Sequence, residues 1–395
     1  MKNKLYWIWL SVACGPASTL VQKLLSEFND DIEAIYNATE NEYKNIKLTA
    51  KRLKALNDKS LDEAQIIYDW CENNNVGILC LGDTDYPKRL ASLPDAPAVL
   101  YYIGKLYDID SLLCIAGVGT RSMSKYGHDT AYTFCHDLAR CGAVIVSGMA
   151  AGIDTVCHRA TLDAGGRTVA VLGCPINKVY PRENRSIMVE IARKGLILTE
   201  YHPFQKTMPA FFPQRNRIIS GLCLGTVVFE ADAGSGSLIT ANHALKQGRK
   251  VYALPGNIGE ENSLGTNDLI KNGAKIATGA GDIIDDFSYL YPSQIQNTRV
   301  YDYSPMTKAY DSFIEKKRTP SKSKPNTEKH LPMDTAGLSG TEKLIYDRME
   351  FNKENSQELL ELNDIPFSEI LSSLTMLEIK GYIESRPGGK FIKKR

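Results

Sequence analysis

Chemistry in this sequence concentrates in glycine, serine and arginine. Gly117-Val-Gly-Thr-Arg-Ser122, Ser147-Gly-Met-Ala-Ala-Gly-Ile-Asp154 and Glu230-Ala-Asp-Ala-Gly-Ser-Gly-Ser-Leu-Ile-Thr240 each follow a short apolar run and lead into a helical pattern. Glycines let backbone N–H groups approach an anion, and the N-terminus of a following helix favours negative charge. The N–H groups of Gly117, Gly119 and Gly148 can thus receive phosphate oxygens. Thr120, Ser147, Met149, Ser235, Gly236 and Ser237 complete the loops. Arg121, Lys178, Lys206, Arg215 and Arg217 supply charge, with Asn216 between the last two. The first loop is G-x-G-x-x-S and lacks the third glycine of the dinucleotide fingerprint, so alone it says little. Three such loops with an Arg-Asn-Arg triplet make an anionic-ligand surface. Phe211 or Phe212, beside the triplet, offers a face on which a base can stack, at roughly 1–3 kcal/mol per base. Whichever of the two points inward is a core aromatic.

Catalytic readings fare less well. Asp154 and His158 lie four apart on one helix, but no third ligand or H-E-x-x-H pattern accompanies them, which favours a capping Asp and a packed His. Glu230 and Asp232 end a strand near a phosphate loop, where carboxylates can act in hydrolysis. That motivates an alternative reading, a nucleotide-processing enzyme of the phosphoribohydrolase kind. Such enzymes place a glutamate a few residues past their glycines; Ala233–Ala241 has no carboxylate. There is no Walker A motif. We therefore expect neither an enzyme nor a cofactor or metal.

Positioning these loops requires an alternation of strands and helices. Residues 111–287 supply it: strands at Leu112–Ala116, Ala143–Ser147, Thr168–Leu172, Leu196–Thr199, Thr226–Glu230 and Lys250–Leu254, and helices at Lys125–Arg140, Thr155–Ala164, Asn184–Arg193 and Leu238–Gln247. Continuous apolar strands alternating with helices predict an α/β, Rossmann-like, doubly wound, mostly parallel sheet. Residues 1–75 read as a small helical unit, and 76–110 as a connector in which three prolines preclude a continuous helix. The central domain with its connector spans 76–290, and 291–338 is a flexible basic linker, with six basic residues and one acidic between Lys316 and Lys329. Residues 339–395 read as a winged-helix unit: helices at Glu342–Phe351, Ser356–Leu362 and Pro366–Leu377, then two strands about a Pro-Gly-Gly turn. The exposed side of its third helix (Ser368, Glu369, Ser372, Glu378) is neutral or acidic, which weakens duplex readout.

The 395 residues carry a formal net charge of +1, which excludes a uniformly basic binder but not a local basic patch. Nine cysteines, none in a C-x-x-C pair, fit reduced buried thiols in a cytoplasmic protein. No apolar run approaches the roughly 20 residues that span a bilayer, and the N-terminal apolar stretch reads as a buried first helix.

The motif set closely resembles the DNA-processing protein A family (DprA, also called Smf). It runs Ile115–Gly127, Ser147–Asp154 with His158, Tyr180-Pro-Arg-Glu-Asn184, Phe212–Arg217, Ser235–Ala241, Pro255-Gly256, Gly265–Ile270 and Gly273-Ala274. The resemblance covers at least 76–287, and extends more loosely to the helical start, SAM-like in that family, and the winged-helix end. Two positions depart: Thr120, where the family usually has Ser, and Gly221-Leu-Cys223, where Gly-Leu-Ser is common. Neither removes a charge. The resemblance implies a non-catalytic single-stranded DNA binder. Such a protein protects incoming strands in natural transformation, loads the RecA recombinase onto them, and works as a homodimer through the Rossmann-like domain.

Overall fold

The computed structural model describes residues 2–292, 294–295, 337–351, 353–356, 365–386 and 390–394. Five helices come first: α1 (Lys2–Cys14), α2 (Leu20–Glu27), α3 (Ile32–Asn37), α4 (Ala50–Asn57) and α5 (Asp62–Asn73). Caps fix where two of them start. The Asp31 carboxylate accepts from the Glu33 and Ala34 N–H groups at α3, and the Thr49 hydroxyl accepts from Arg52 N–H at α4. In α1, Leu5, Trp7, Ile8, Trp9 and Leu10 are all buried. Each large apolar side chain so buried contributes about 1.5–3 kcal/mol, so the N-terminal apolar stretch is core.

The expected strand–helix alternation follows: β1 (Gly77–Cys80), α6 (Lys88–Ala91), β2 (Val99–Gly104), β3 (Cys114–Val118), α7 (Lys125–Arg140), β4 (Val144–Ser147), α8 (Ile153–Asp163), β5 (Thr168–Val171), α9 (Arg185–Lys194), β6 (Leu196–Thr199), α10 (Phe211–Gly221), β7 (Gly225–Val228), α11 (Gly236–Lys246), β8 (Lys250–Ala253), α12 (Glu261–Lys271), β9 (Lys275–Ile276) and α13 (Gly281–Ile284). The sheet order is β1-β2-β6-β5-β4-β3-β7-β8-β9, parallel from β6 to β9. Every residue of β3 through β7 is buried, as a sheet covered on both faces requires. The chain winds from β3 outward through β4, β5 and β6, then returns across them to β7. This is the doubly wound plan, and its switch point lies between β3 and β7.

The connector does more than link. Gly77–Cys80 and Val99–Gly104 add two antiparallel strands at the β6 edge. Prolines bar a continuous helix there, but not the single turn of α6 that starts after Pro87 or strands that keep clear of them. The α1–α5 helices share one apolar core with Ile78, Tyr101, Ala170, Leu172 and Ile197 of the sheet layer and Ile187 of α9.

Near the C-terminus, α14 (Gly340–Arg348) starts at a capping box formed by Ser339 and Glu342, and β10 (Glu354–Ser356), α15 (Phe367–Ile379), β11 (Ile383–Arg386) and β12 (Lys390–Lys393) follow. The three strands form a separate antiparallel sheet, β10-β12-β11. These elements do not contradict the winged-helix expectation. The helix expected over Ser356–Leu362 lies outside the described residues, apart from Ser356, which belongs to β10; the Pro-Gly-Gly turn and the Lys316–Lys329 stretch also lie outside them.

Candidate nucleic-acid interface

At the carboxyl edge of β3 and β7 the turns that follow β3, β4 and β7 enclose a cleft of about 440 Å³ with the flank of α10 and the start of α11. A parallel sheet leaves such a crevice at its switch point because the helices on either side diverge there. Gly119, Thr120 and Arg121 line it from β3, Ala150 and Asp154 from the β4 side, and Asp232, Ser235, Gly236 and Ser237 from the β7 side. Gly119 is required by crowding: a Cβ there would lie 2.6 Å from Ile153 Cγ1 and 3.0 Å from the Glu230 carbonyl oxygen.

The turn after β4 is held from below. Met149 is left-handed at φ 59° and fully packed, a conformation that costs a bulky residue of order 1–3 kcal/mol. Asn184 offsets that cost: its Nδ2 donates to the carbonyls of Met149 (2.9 Å) and Ala150 (3.3 Å) and to Thr155 Oγ1 (2.8 Å). The Asp154 carboxylate accepts from the N–H groups of Gly148 (3.2 Å) and Ala150 (3.3 Å). Burial pushes its carboxyl above the usual range, against the pull of Arg215.

On the other side, the Ser235 hydroxyl caps α11 by accepting from Ser237 N–H. Helix α11 presents its partial positive charge to the cleft. Arg121 is exposed, with its guanidinium carbon 5.9 Å from the centre of the Phe212 ring, and Phe212 lies 4.8 Å from the ring of Tyr180. Cation, ring and ring form a strip at the cleft mouth, while Val118, Ile219 and Ile239 give the cleft an apolar lining.

Helical periodicity resolves the Phe-Phe pair and breaks up the Arg-Asn-Arg triplet. Along α10, Phe212, Asn216 and Ile219 share the cleft face at i, i+4 and i+7. Phe211 points inward and stacks on Tyr201 at 4.1 Å, so it is core and not a stacking platform. Arg215 lines the cleft but is 3% exposed. Its Nη1 donates to the Gly148 carbonyl (2.5 Å) and to the Val171 carbonyl, clamping the β4 and β5 turns together. Arg217 is carried away from the cleft, 2% exposed and paired with Glu200 (2.7 Å) and Asp95 (3.3 Å). The expectation that Arg121, Arg215 and Arg217 all offer charge to a strand is corrected: Arg215 turns inward onto the protein's own carbonyls and Arg217 onto its carboxylates, while Arg121 remains outward.

Two of the three expected N–H donors, Gly117 and Gly148, need the same correction. Gly117 lies within β3, in register with Val227, and its carbonyl accepts from Ser147 Oγ at 2.7 Å. Gly148 N–H serves Asp154, and Thr120 N–H donates to the Glu230 carbonyl at 2.8 Å. Buried Ser147 and Met149 support the turn from within. Lys178 and Lys206 stand outside the cleft on the loops after β5 and β6, the first half-buried with Nζ 3.5 Å from the Gln205 carbonyl, the second exposed. The sequence reading missed Tyr180 as a stacking ring and Asn184 as the brace. Both sit in the Tyr-Pro-Arg-Glu-Asn motif, whose proximity to the cleft only the fold reveals.

The groups weighed for catalysis have structural partners; Asp232, on the cleft lining, accepts from Gly234 N–H of its own turn at 2.7 Å. Glu230 is 3% exposed and accepts from Ser124 N–H (2.9 Å) and Ser124 Oγ, tying the β7 end to the start of α7. His158 is fully buried, its Nδ1 2.7 Å from Thr168 Oγ1, and burial pushes its pKa down to about 3. All nine cysteines are buried, and none is in a disulfide. No helix among the described residues is long and apolar enough to cross a membrane.

Comparison with known proteins bears on this geometry. Residues 77–288 match the family model of DNA recombination-mediator protein A. The DNA processing protein DprA of Streptococcus pneumoniae is 39% identical over 229 residues, 58% of this chain and 79% of that protein. Protein Smf of a Synechocystis species is 31% identical over 325 residues, 81% of each chain. The X-ray structure of the S. pneumoniae protein superposes with a TM-score of 0.63 at 31% identity, covering 72% of this chain and 98% of that one. The DNA processing protein A of Helicobacter pylori, whose structure addresses its single-stranded DNA binding mode, superposes with a TM-score of 0.50 at 32% identity, covering 55% of this chain and 97% of that one. The chain belongs to the DNA recombination-mediator protein A family.

Proposed function

We propose that this protein binds single-stranded DNA along the carboxyl rim of its central sheet, protects incoming strands in natural transformation and, as a homodimer in the cytoplasm, loads the RecA recombinase onto them. The observation that carries the reading is the strip Arg121–Phe212–Tyr180 at the mouth of the switch-point cleft. Unpaired bases expose faces that stack on aromatic rings, and their phosphates seek an exposed cation. A duplex hides those faces. The cleft binds and does not react: Glu230 is spent on Ser124, and Asp154 on the N–H groups of its own turn. The site residues proposed to meet the strand are Gly119, Thr120, Arg121, Tyr180, Phe212, Asn216, Ser235, Gly236 and Ser237, with Lys178 and Lys206 extending the track past β5 and β6.

Fluorescence anisotropy with a labelled oligonucleotide, single-stranded and then annealed, tests this. The single strand is expected to bind far more tightly at every salt concentration. Equal affinity for the duplex would refute the reading.

A further inference from the structure

A winged helix that reads DNA offers its third helix to the major groove. Here that helix, α15, is occupied. Ile370, Leu374 and Leu377, at i, i+4 and i+7, fill the small C-terminal core with Ile345, Tyr346, Ile383 and Phe391. Met376 points the other way, 2% exposed, into a core that includes Ile187, Met188 and Ile191 of α9, and Ile379 packs against the same core. A polar clasp flanks this contact. Glu378 Oε2 lies 2.7 Å from Arg185 Nε, with the two side chains 6% and 16% exposed. The Glu378 carbonyl accepts from Arg193 Nη2 at 3.1 Å, and the Arg185 guanidinium sits 4.9 Å over the Phe391 ring. The sequence of α15 holds two glutamates and no lysine or arginine, so it lacks the cations that phosphate contact requires.

Chain length does not force this seat. Residues 296–336 join the unit to Ile295, and at roughly 3.3–3.6 Å per extended residue they reach well over 100 Å. The contact itself selects α9. The place is also informative: Arg185 follows Asn184, the residue that holds the Met149 and Ala150 carbonyls of the cleft wall.

We propose that α15 is a protein-docking helix whose partner is α9 of the same chain, and that the docked C-terminal unit braces the β4 turn of the cleft through the Asn184–Arg185 junction. The bracing of DNA binding rests on the function proposed above; the docking does not.

Hydrogen exchange on the full chain separates the two. Arg185→Glu breaks the clasp from the α9 side, and Met376→Asp spoils the apolar half. In both, amides in the first turns of α9 and in residues 148–152 are expected to exchange faster, by about tenfold in α9, while those of Leu374 and Phe391 keep their protection. Single-strand affinity is expected to fall severalfold, with no gain in duplex affinity. If Met376→Asp unfolds the unit, Arg185→Glu, which substitutes no residue of the unit itself, decides. Unchanged exchange in α9, or faster exchange in α9 with none in 148–152, would overturn the proposal. So would a rise in duplex affinity, which would make α15 a masked groove reader. If exchange responds as expected but the parent chain shows no preference for single strands, the function fails and the docking stands.

Discussion

The Arg217 guanidinium meets the Glu200 carboxylate at 2.7 Å, and neither side chain is more than 4% exposed. Glu200 also accepts from Ala17 N–H at 3.2 Å, so the pair ties the N-terminal helices to the sheet layer. Removing one partner of a buried pair strands the other charge. Arg217→Ala is expected to cost about 3–5 kcal/mol of stability while leaving the single-strand affinity of the folded protein unchanged. Urea denaturation and anisotropy on the same sample check this; lost affinity with retained stability would return Arg217 to the interface.

His158 gives a pH signature. Its folded pKa, about 3, lies below the ordinary histidine value of 6.5, so the unfolded chain binds the proton first. Its stability contribution is complete above 6.5 and declines as pH falls toward 3. Between pH 7.5 and pH 5 the loss is about 2 kcal/mol. Glu200 and Asp154 act in the opposite sense, since burial pushes both carboxyls up and their contribution weakens as pH rises. Comparing wild type with His158→Gln at both pH values isolates the histidine. Equal losses in the two proteins would show that His158 is not held neutral.

Stacking and charge separate at Phe212. Phe212→Ala is expected to weaken single-strand binding by one stacking contact, about 1–3 kcal/mol, without changing the salt dependence, because no charge is lost. Phe212→Trp keeps the face and is expected to retain affinity. Titrations at several salt concentrations read both, and a changed slope in the alanine variant would mean that Phe212 acts only by positioning Arg121.

Gly119→Ala tests the tight wall. The added methyl meets Ile153 and the Glu230 carbonyl, and overpacking of this kind costs about 1–3 kcal/mol. Thermal unfolding is expected to report that loss together with weaker DNA binding. A neutral result would show that the turn after β3 yields freely.

Much of this was legible in the sequence. Helix α7 spans the expected Lys125–Arg140, and all six expected strands form within two residues of their expected ends. Strong apolar periodicity reports local structure well. The three Gly/Ser turns converge because parallel strands deliver them to one edge. The arginines were harder. A triplet written Arg-Asn-Arg reads as one patch of charge, yet on a helix residues two apart point to different sides. Whether Arg217 met solvent or a carboxylate depended on how α10 packs against the end of β6 at Glu200 and against Asp95 of the connector, which is remote in sequence. The β1 and β2 strands were hidden for a similar reason, since their pairing partners are nonlocal.

The salt dependence of single-strand binding by wild type and Arg121→Ala shows whether the strand lies along the carboxyl rim. A plot of log affinity against log salt falls by about 0.7 for each phosphate neutralised. Arg121→Ala is expected to bind every sequence more weakly and to flatten the slope by about one contact. An unchanged slope and affinity in Arg121→Ala would place the strand elsewhere on the protein.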